Sequence, residues 1–98
     1  MKTMHLSNRP DVETVLDGRV TRFPLYKVLL HNDDVNTMEG VVAALAKVFR
    51  FDRARCEQLM MEAHANRVAL CTIEPLEPAE LHRDQLISCS LTATIEPE

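Results

Sequence analysis

The stretch YKVLLHNDDVNTME, Tyr26 to Glu39, decides the fold. Its first half alternates: Tyr26, Val28 and Leu30 fall on one side, Lys27, Leu29 and His31 on the other. A period of two apolar positions gives a strand with one face buried and the other partly covered. Its second half turns. Asn32, Asp33 and Asp34 are residues whose side chains bond nearby backbone N–H groups, and acidic charge is favoured just before a helix. Asn36 followed three residues later by Glu39 is the capping-box pattern with Asn in the Ser/Thr place.

Working outward, Met38, Val41, Val42, Leu45, Val48 and Phe49 recur at helical spacing and predict a helix with one apolar face. Asp52 caps a second helix whose apolar positions are Cys56, Leu59, Met60 and Ala63, with His64 on the same face as Met60. That helix is expected to end near Asn66, which tolerates the left-handed conformation. Val68–Ile73 then reads as a strand apolar enough to be central. Glu77-Pro78 opens a short third helix, with proline at its first position. Leu91, Ala93 and Ile95 alternate with Thr92, Thr94 and Glu96 as a last strand. The order β-α-α-β-α-β predicts an α+β sandwich: a small three-stranded sheet with three helices packed on one face. Residues 1–22 sustain no period and read as a flexible N-terminal extension, with a turn of helix around Val12–Leu16 as an option. The folded domain is expected over residues 23–98.

Composition narrows the function classes. Ninety-eight residues make one small domain, which buries somewhat more than about 60% of its unfolded surface. A formal charge of −4 argues against nucleic acid, which needs a basic patch. No apolar run approaches the roughly 18 residues of a membrane span, and MKTMHLSNRP lacks the apolar centre of a signal peptide. Cys56, Cys71 and Cys89 show no C-x-x-C spacing and read as small hydrophobes in a reducing compartment.

The acceptor-rich turn admits three readings. It is turn chemistry alone, or a metal site, or a receptor for a cation from outside the chain. A metal site would draw on His31, Asp33, Asp34 and His64, but His31 points to the opposite side of the strand from Leu30 and the spacing matches no ligand motif. Catalysis lacks a nucleophile signature, since Ser88 and Ser90 have no G-x-S-x-G context. In the third reading His64 and Met60 join the turn around a site polar at its rim and apolar within. The residues alone leave these alternatives open.

YKVLLHNDDVNTME, followed by LMMEAH and a final LTATIE strand, closely resembles ClpS, a family of small adaptors that deliver N-degron substrates to Clp AAA+ proteases. The resemblance runs from Phe23 to the end of the chain. It implies a binding module rather than an enzyme, without cofactor or metal, in a bacterial cytosol or a plastid stroma. Asn32, Asp33 and His64 would bind the substrate's α-ammonium. Asp34 and Asn36 would lie at the rim, with Met38, Val41, Met60, Ala63 and Leu91 around the first side chain, a bulky hydrophobic or aromatic one. Glu77, Glu80 and His82 would face the N-terminal domain of a ClpA- or ClpC-type unfoldase. The alternative is a regulator of a Clp ATPase on the same fold that binds no degron. Departures from the family pattern fall at Asn36-Thr37, where Thr-Pro is usual, at Ala63, where valine is usual, and at Arg67, a common glycine. His82 replaces a usual lysine, and the segment from Thr72 to Ser90 is shorter than in many members.

Overall fold

The computed structural model describes residues 11–16 and 19–98. Its elements run β1 Asp11–Leu16, β2 Arg19–His31, α1 Met38–Phe49, α2 Arg53–Asn66, β3 Val68–Pro75, α3 Leu76–Ser88 and β4 Thr92–Pro97. From β2 onward this is the expected β-α-α-β-α-β order. The central strand, however, is β2 and not the Val68 strand: β3 pairs with it on one side and β4 on the other, both antiparallel. The apolar run of β3 does not mark the centre of the sheet: Val68, Leu70 and Ile73 are more than one-third exposed, on an edge strand.

The inward positions explain the sandwich. Val28 and Leu30 of β2, Ala69 and Cys71 of β3 and Ala93 of β4 are all buried. Over them lie Val42, Ala44 and Leu45 of α1, Cys56, Leu59 and Ala63 of α2, and Ala79 and Leu86 of α3. Side chains of alternate strand residues thus meet the helices, and the outer face carries Lys27 paired with Glu96 at 3.7 Å. A register shift at Val28/Leu29 lets Cys71 stand as an extra residue between Leu70 and Thr72.

The helix ends need local corrections. The cap of α1 is Thr37 rather than Asn36: the Gly40 N–H donates to its Oγ1 at 3.0 Å. Asp52 caps α2 as expected, accepting from the Arg55 N–H at 2.8 Å. Helix α2 ends at Asn66 as expected, and the left-handed residue that follows is Arg67, φ 73°. Helix α3 is 13 residues long, not short, and starts at Leu76 with Pro75 as its cap residue. Pro78 therefore sits third in the first turn, where a missing N–H still removes no helical bond.

Part of the N-terminal segment is regular where no period was legible. Asp11–Leu16 runs antiparallel to Arg19–Pro24, from Asp11 opposite Pro24 to Leu16 opposite Arg19. The option of a helical turn at Val12–Leu16 is thereby replaced by a strand. The rest of the reading of 1–22 as a flexible extension lies outside the described residues.

Candidate functional site

At the His31 end of β2 the strand gives way to the turn, and the chain's polar residues collect there. The Asn32 N–H donates to the Arg67 carbonyl at 2.8 Å, which ties the strand end to the exit of α2. Asp33 organises the turn itself. Its Oδ1 accepts from the Val35 N–H at 2.9 Å and the Asn36 N–H at 3.0 Å. The Asn36 side-chain amide donates to both carboxylate oxygens, at 3.2 and 3.1 Å. The same amide reaches the Ser90 carbonyl at 2.7 Å. Ser90 presents that carbonyl from a left-handed backbone, φ 68°, in the link between α3 and β4.

This network answers half of the question posed by the acceptors. The Asn36 backbone N–H above all, helped by that of Val35 and the Asn36 amide, holds the Asp33 carboxyl below the usual carboxylate range, although partial burial pushes the other way. Asp33 is therefore an ionised turn cap. Of its roughly four lone-pair sites the turn uses mainly those of Oδ1, so capacity remains at Oδ2. The Asn32, Asp34 and His64 side chains have no hydrogen-bond partner among the described residues. All three are exposed.

Beneath this rim lies a cleft of about 250 Å³. It is lined by Asn32, Asp33, Asp34, Asn36, Met38, Val41, Met60, Ala63, His64 and Leu91, so one cleft gathers all ten residues named for the α-ammonium shell, the rim and the pocket. Leu30 and His31 line it too and were not named for it. Leu30 was legible as a buried β2 residue, and only its position at the strand end makes it a floor. The His31 ring turns away to Thr94, with Nε2 2.7 Å from Thr94 Oγ1. Walls come from three places: Met38 and Val41 from the first turn of α1, Met60 and Ala63 from α2, and Leu91 from the link just before β4. Met38 is about half exposed, at 49%, and so stands at the mouth rather than in the core face of α1. His64, one turn after Met60, is likewise at the rim and not on a buried face.

The three residues assigned to the unfoldase contact lie elsewhere, on α3. Glu77 is exposed in its first turn and Glu80 is half-buried. His82 is turned inward: its Nδ1 meets a Glu74 carboxylate oxygen, and its ring lies 4.9 Å from that of Phe49. The cysteines offer no reactive thiol at the cleft. Burial pushes Cys56 up and Cys71 up to about 12. Among the described residues no three His, Cys, Asp or Glu side chains converge as metal ligands, and no helix is long and apolar enough to cross a membrane. Ser88 spends its hydroxyl on the Gln85 carbonyl at 2.7 Å.

A small α+β sandwich with an acceptor-rimmed apolar cleft matches a known class, the adaptors of ATP-dependent proteases. The family model described as "ATP-dependent Clp protease adaptor protein ClpS" matches residues 21–94. The adapter protein ClpS of Synechococcus sp. (strain CC9902) is 45% identical over 78 residues, covering 79% of this chain and 75% of its own. That of Gloeobacter violaceus is 41% identical over 76 residues, covering 76% and 82%. Among solved structures, Agrobacterium tumefaciens ClpS2 bound to L-phenylalaninamide superposes with a TM-score of 0.71 at 32% identity, covering 76% of this chain and 96% of that one. The chain belongs to the ClpS family of Clp protease adaptors.

Proposed function

We propose that the cleft receives the first residue of an N-degron substrate, and that the protein hands that substrate to a Clp AAA+ unfoldase. The observation that carries this reading is the set of acceptors with capacity to spare: Asn32, Asp33 Oδ2 and His64 around the mouth of an apolar pocket. An α-amino group titrates at about 7.7–8.0 and so arrives mostly as a cation. Taking it from water is costly unless fixed acceptors receive its protons. A carboxylate, an amide oxygen and a neutral imidazole nitrogen do so, with charge-assisted bonds of roughly 1.5–3 kcal/mol each. An internal peptide bond offers no such cation, so the site selects chain ends. The apolar walls then take a bulky hydrophobic or aromatic side chain. L-phenylalaninamide, the ligand of the A. tumefaciens relative, carries this pair of features, an α-ammonium and an aromatic side chain. Glu77 and Glu80, displayed by α3 away from the cleft, are the surface for the N-terminal domain of a ClpA- or ClpC-type unfoldase, so substrate and unfoldase bind at once.

The test compares one peptide beginning with Phe in free and N-acetylated form. Loss of one charged contact lowers affinity by about 2–3 kcal/mol, roughly 30- to 150-fold. Equal binding of the two forms, or of neither, overturns the reading and leaves a Clp regulator that takes no degron.

A further inference from the structure

Two clefts of this protein share a wall. Met38 of α1 and Met60 of α2 line the pocket below the acceptor turn, and the same two side chains line a second groove of about 550 Å³ between α1 and α2. Val42, Ala43 and Ala46 line this groove as well, together with Met61, half exposed at 50%. Its charged edge holds Glu39, Arg53 and Glu57. Glu57 is engaged by Arg53 at 2.8 Å, and Glu39 has no ion-pair partner among the described residues.

The groove is apolar, open and continuous with the first pocket across one layer of methionine side chains. An extended peptide rises about 3.3 Å per residue and sends alternate side chains the same way, so its first and third side chains emerge on one side roughly 6.6 Å apart. That separation is about the width of one side-chain ridge. A peptide held by its α-ammonium with its first side chain in the pocket therefore drops its third side chain beyond Met38 and Met60. The geometry points to a second subsite: the groove behind Met38 and Met60 binds an apolar side chain at the third position of the substrate, a preference set by the chain following the terminal residue. Methionine suits both sides of such a partition, because its unbranched, polarizable side chain repacks against different partners. The carboxylate of Glu39 at the edge disfavours an acidic third residue.

This inference rests on the proposed binding of chain ends, and the experiment separates the two. Three peptides share Phe at the first position and Ala at the second and differ only at the third, with Leu, Gly or Glu. L-phenylalaninamide, which has no third residue, serves as the fourth ligand. Partial burial of the leucine side chain raises affinity about five- to tenfold over glycine, and glutamate binds more weakly than glycine. The Leu peptide, but not phenylalaninamide, shifts the NMR methyl signals of Ala43 and Met61. In Ala43→Glu the advantage of Leu over Gly disappears. Binding of phenylalaninamide with no dependence on the third residue, and no shift at Ala43 or Met61, overturns the second subsite while the chain-end reading stands. Failure of all four ligands to bind overturns both.

Discussion

The side-chain amide of Asn36 joins both carboxylate oxygens of Asp33, at 3.2 and 3.1 Å, while donating to the Ser90 carbonyl 54 residues further along the chain. One side chain thus fixes the aim of the site's carboxylate and pins the turn that delivers Leu91 to the pocket wall. Asn36→Ala removes both restraints and leaves the two backbone donors to Asp33 in place. The Asp33 carboxyl then titrates closer to the ordinary value, as NMR of its side-chain carbon reads out. Peptide affinity falls roughly 3- to 10-fold, the equivalent of about one neutral hydrogen bond. An unchanged Asp33 titration would show that the backbone donors alone position it.

Asp33→Asn separates charge from shape, because an amide oxygen can still accept from the Val35 and Asn36 N–H groups. The folded-state pKa of Asp33 is depressed. Its carboxylate therefore stabilises the fold above the unfolded value of about 3.9, and that contribution is lost as pH falls through the lower folded value. The difference in Tm between the parent and Asp33→Asn is expected to be level from pH 7 to about 5 and to shrink below about 4. Solvent screening at this exposed turn keeps it under about 1 kcal/mol. Peptide binding at pH 7, by contrast, falls at least tenfold, because the cation loses its countercharge. Should Asp33→Asn unfold the protein at neutral pH, the residue is chiefly a structural cap.

How much of this was legible varies by element. The Tyr26–His31 part of β2, helices α1 and α2 and the Asp52 cap followed from period and spacing alone, whereas the first part of β2, from Arg19, showed no such period. The set of cleft residues followed from the family resemblance laid over those elements. The α1 cap falls on Thr37 and not Asn36: the Asn36 side chain is turned to Asp33 and to the Ser90 carbonyl, a partner no local window contains, while the Thr37 hydroxyl accepts from the Gly40 N–H. The β1 ladder does carry a local signal: Asp17-Gly18, residues outside those described, separate two runs containing Val and Leu, and Asp-Gly is a strong hairpin dipeptide. The rank of β3 in the sheet could not be read, since an exposed Val68 and a buried one look alike in sequence.

His82 and Glu77 make a second contrast. His82 and Glu74 are only 24% and 16% exposed in their side chains, and the ring also packs on Phe49. His82→Ala strands a half-buried carboxylate and opens a gap beside Phe49, at a cost of roughly 1–3 kcal/mol read as a lower urea midpoint. Glu77→Arg, at an exposed position of the first turn of α3, changes stability by less than about 1 kcal/mol yet weakens capture by the unfoldase's N-terminal domain. If Glu77→Arg leaves that capture intact, the start of α3 is not the contact surface.

Thr72 carries a smaller fault in the core sheet. Its Oγ1 is buried and has no hydrogen-bond partner among the described residues, next to the extra residue of β3. Thr72→Val keeps the shape and removes the unsatisfied hydroxyl, so stability rises by about 1 kcal/mol. A fall in Tm would show that the hydroxyl finds a partner in solution.

Ala63 tests the pocket itself. It is buried at 4% exposure on α2 and its methyl forms part of the cleft wall. Compared with the valine usual in the family at this place, alanine leaves the room of two methyl groups. A leucine side chain entering the cleft then has fewer atoms against it, and a space without partners forfeits packing on the order of 1 kcal/mol. A phenylalanine ring reaches further across and recovers those contacts. Peptides beginning with Phe are therefore expected to bind tighter than those beginning with Leu, by about fivefold, which is that same energy. Ala63→Val fills the space from the protein side and reverses the order. Because Ala63 is buried beside the core, Tm is followed in the same variant to register any overpacking. The measurement is the ratio of the two dissociation constants in each protein, which cancels any general loss of affinity. A ratio that already favours Leu, or that Ala63→Val leaves unchanged, means the wall at Met60 closes the space by itself and side-chain preference is set there instead.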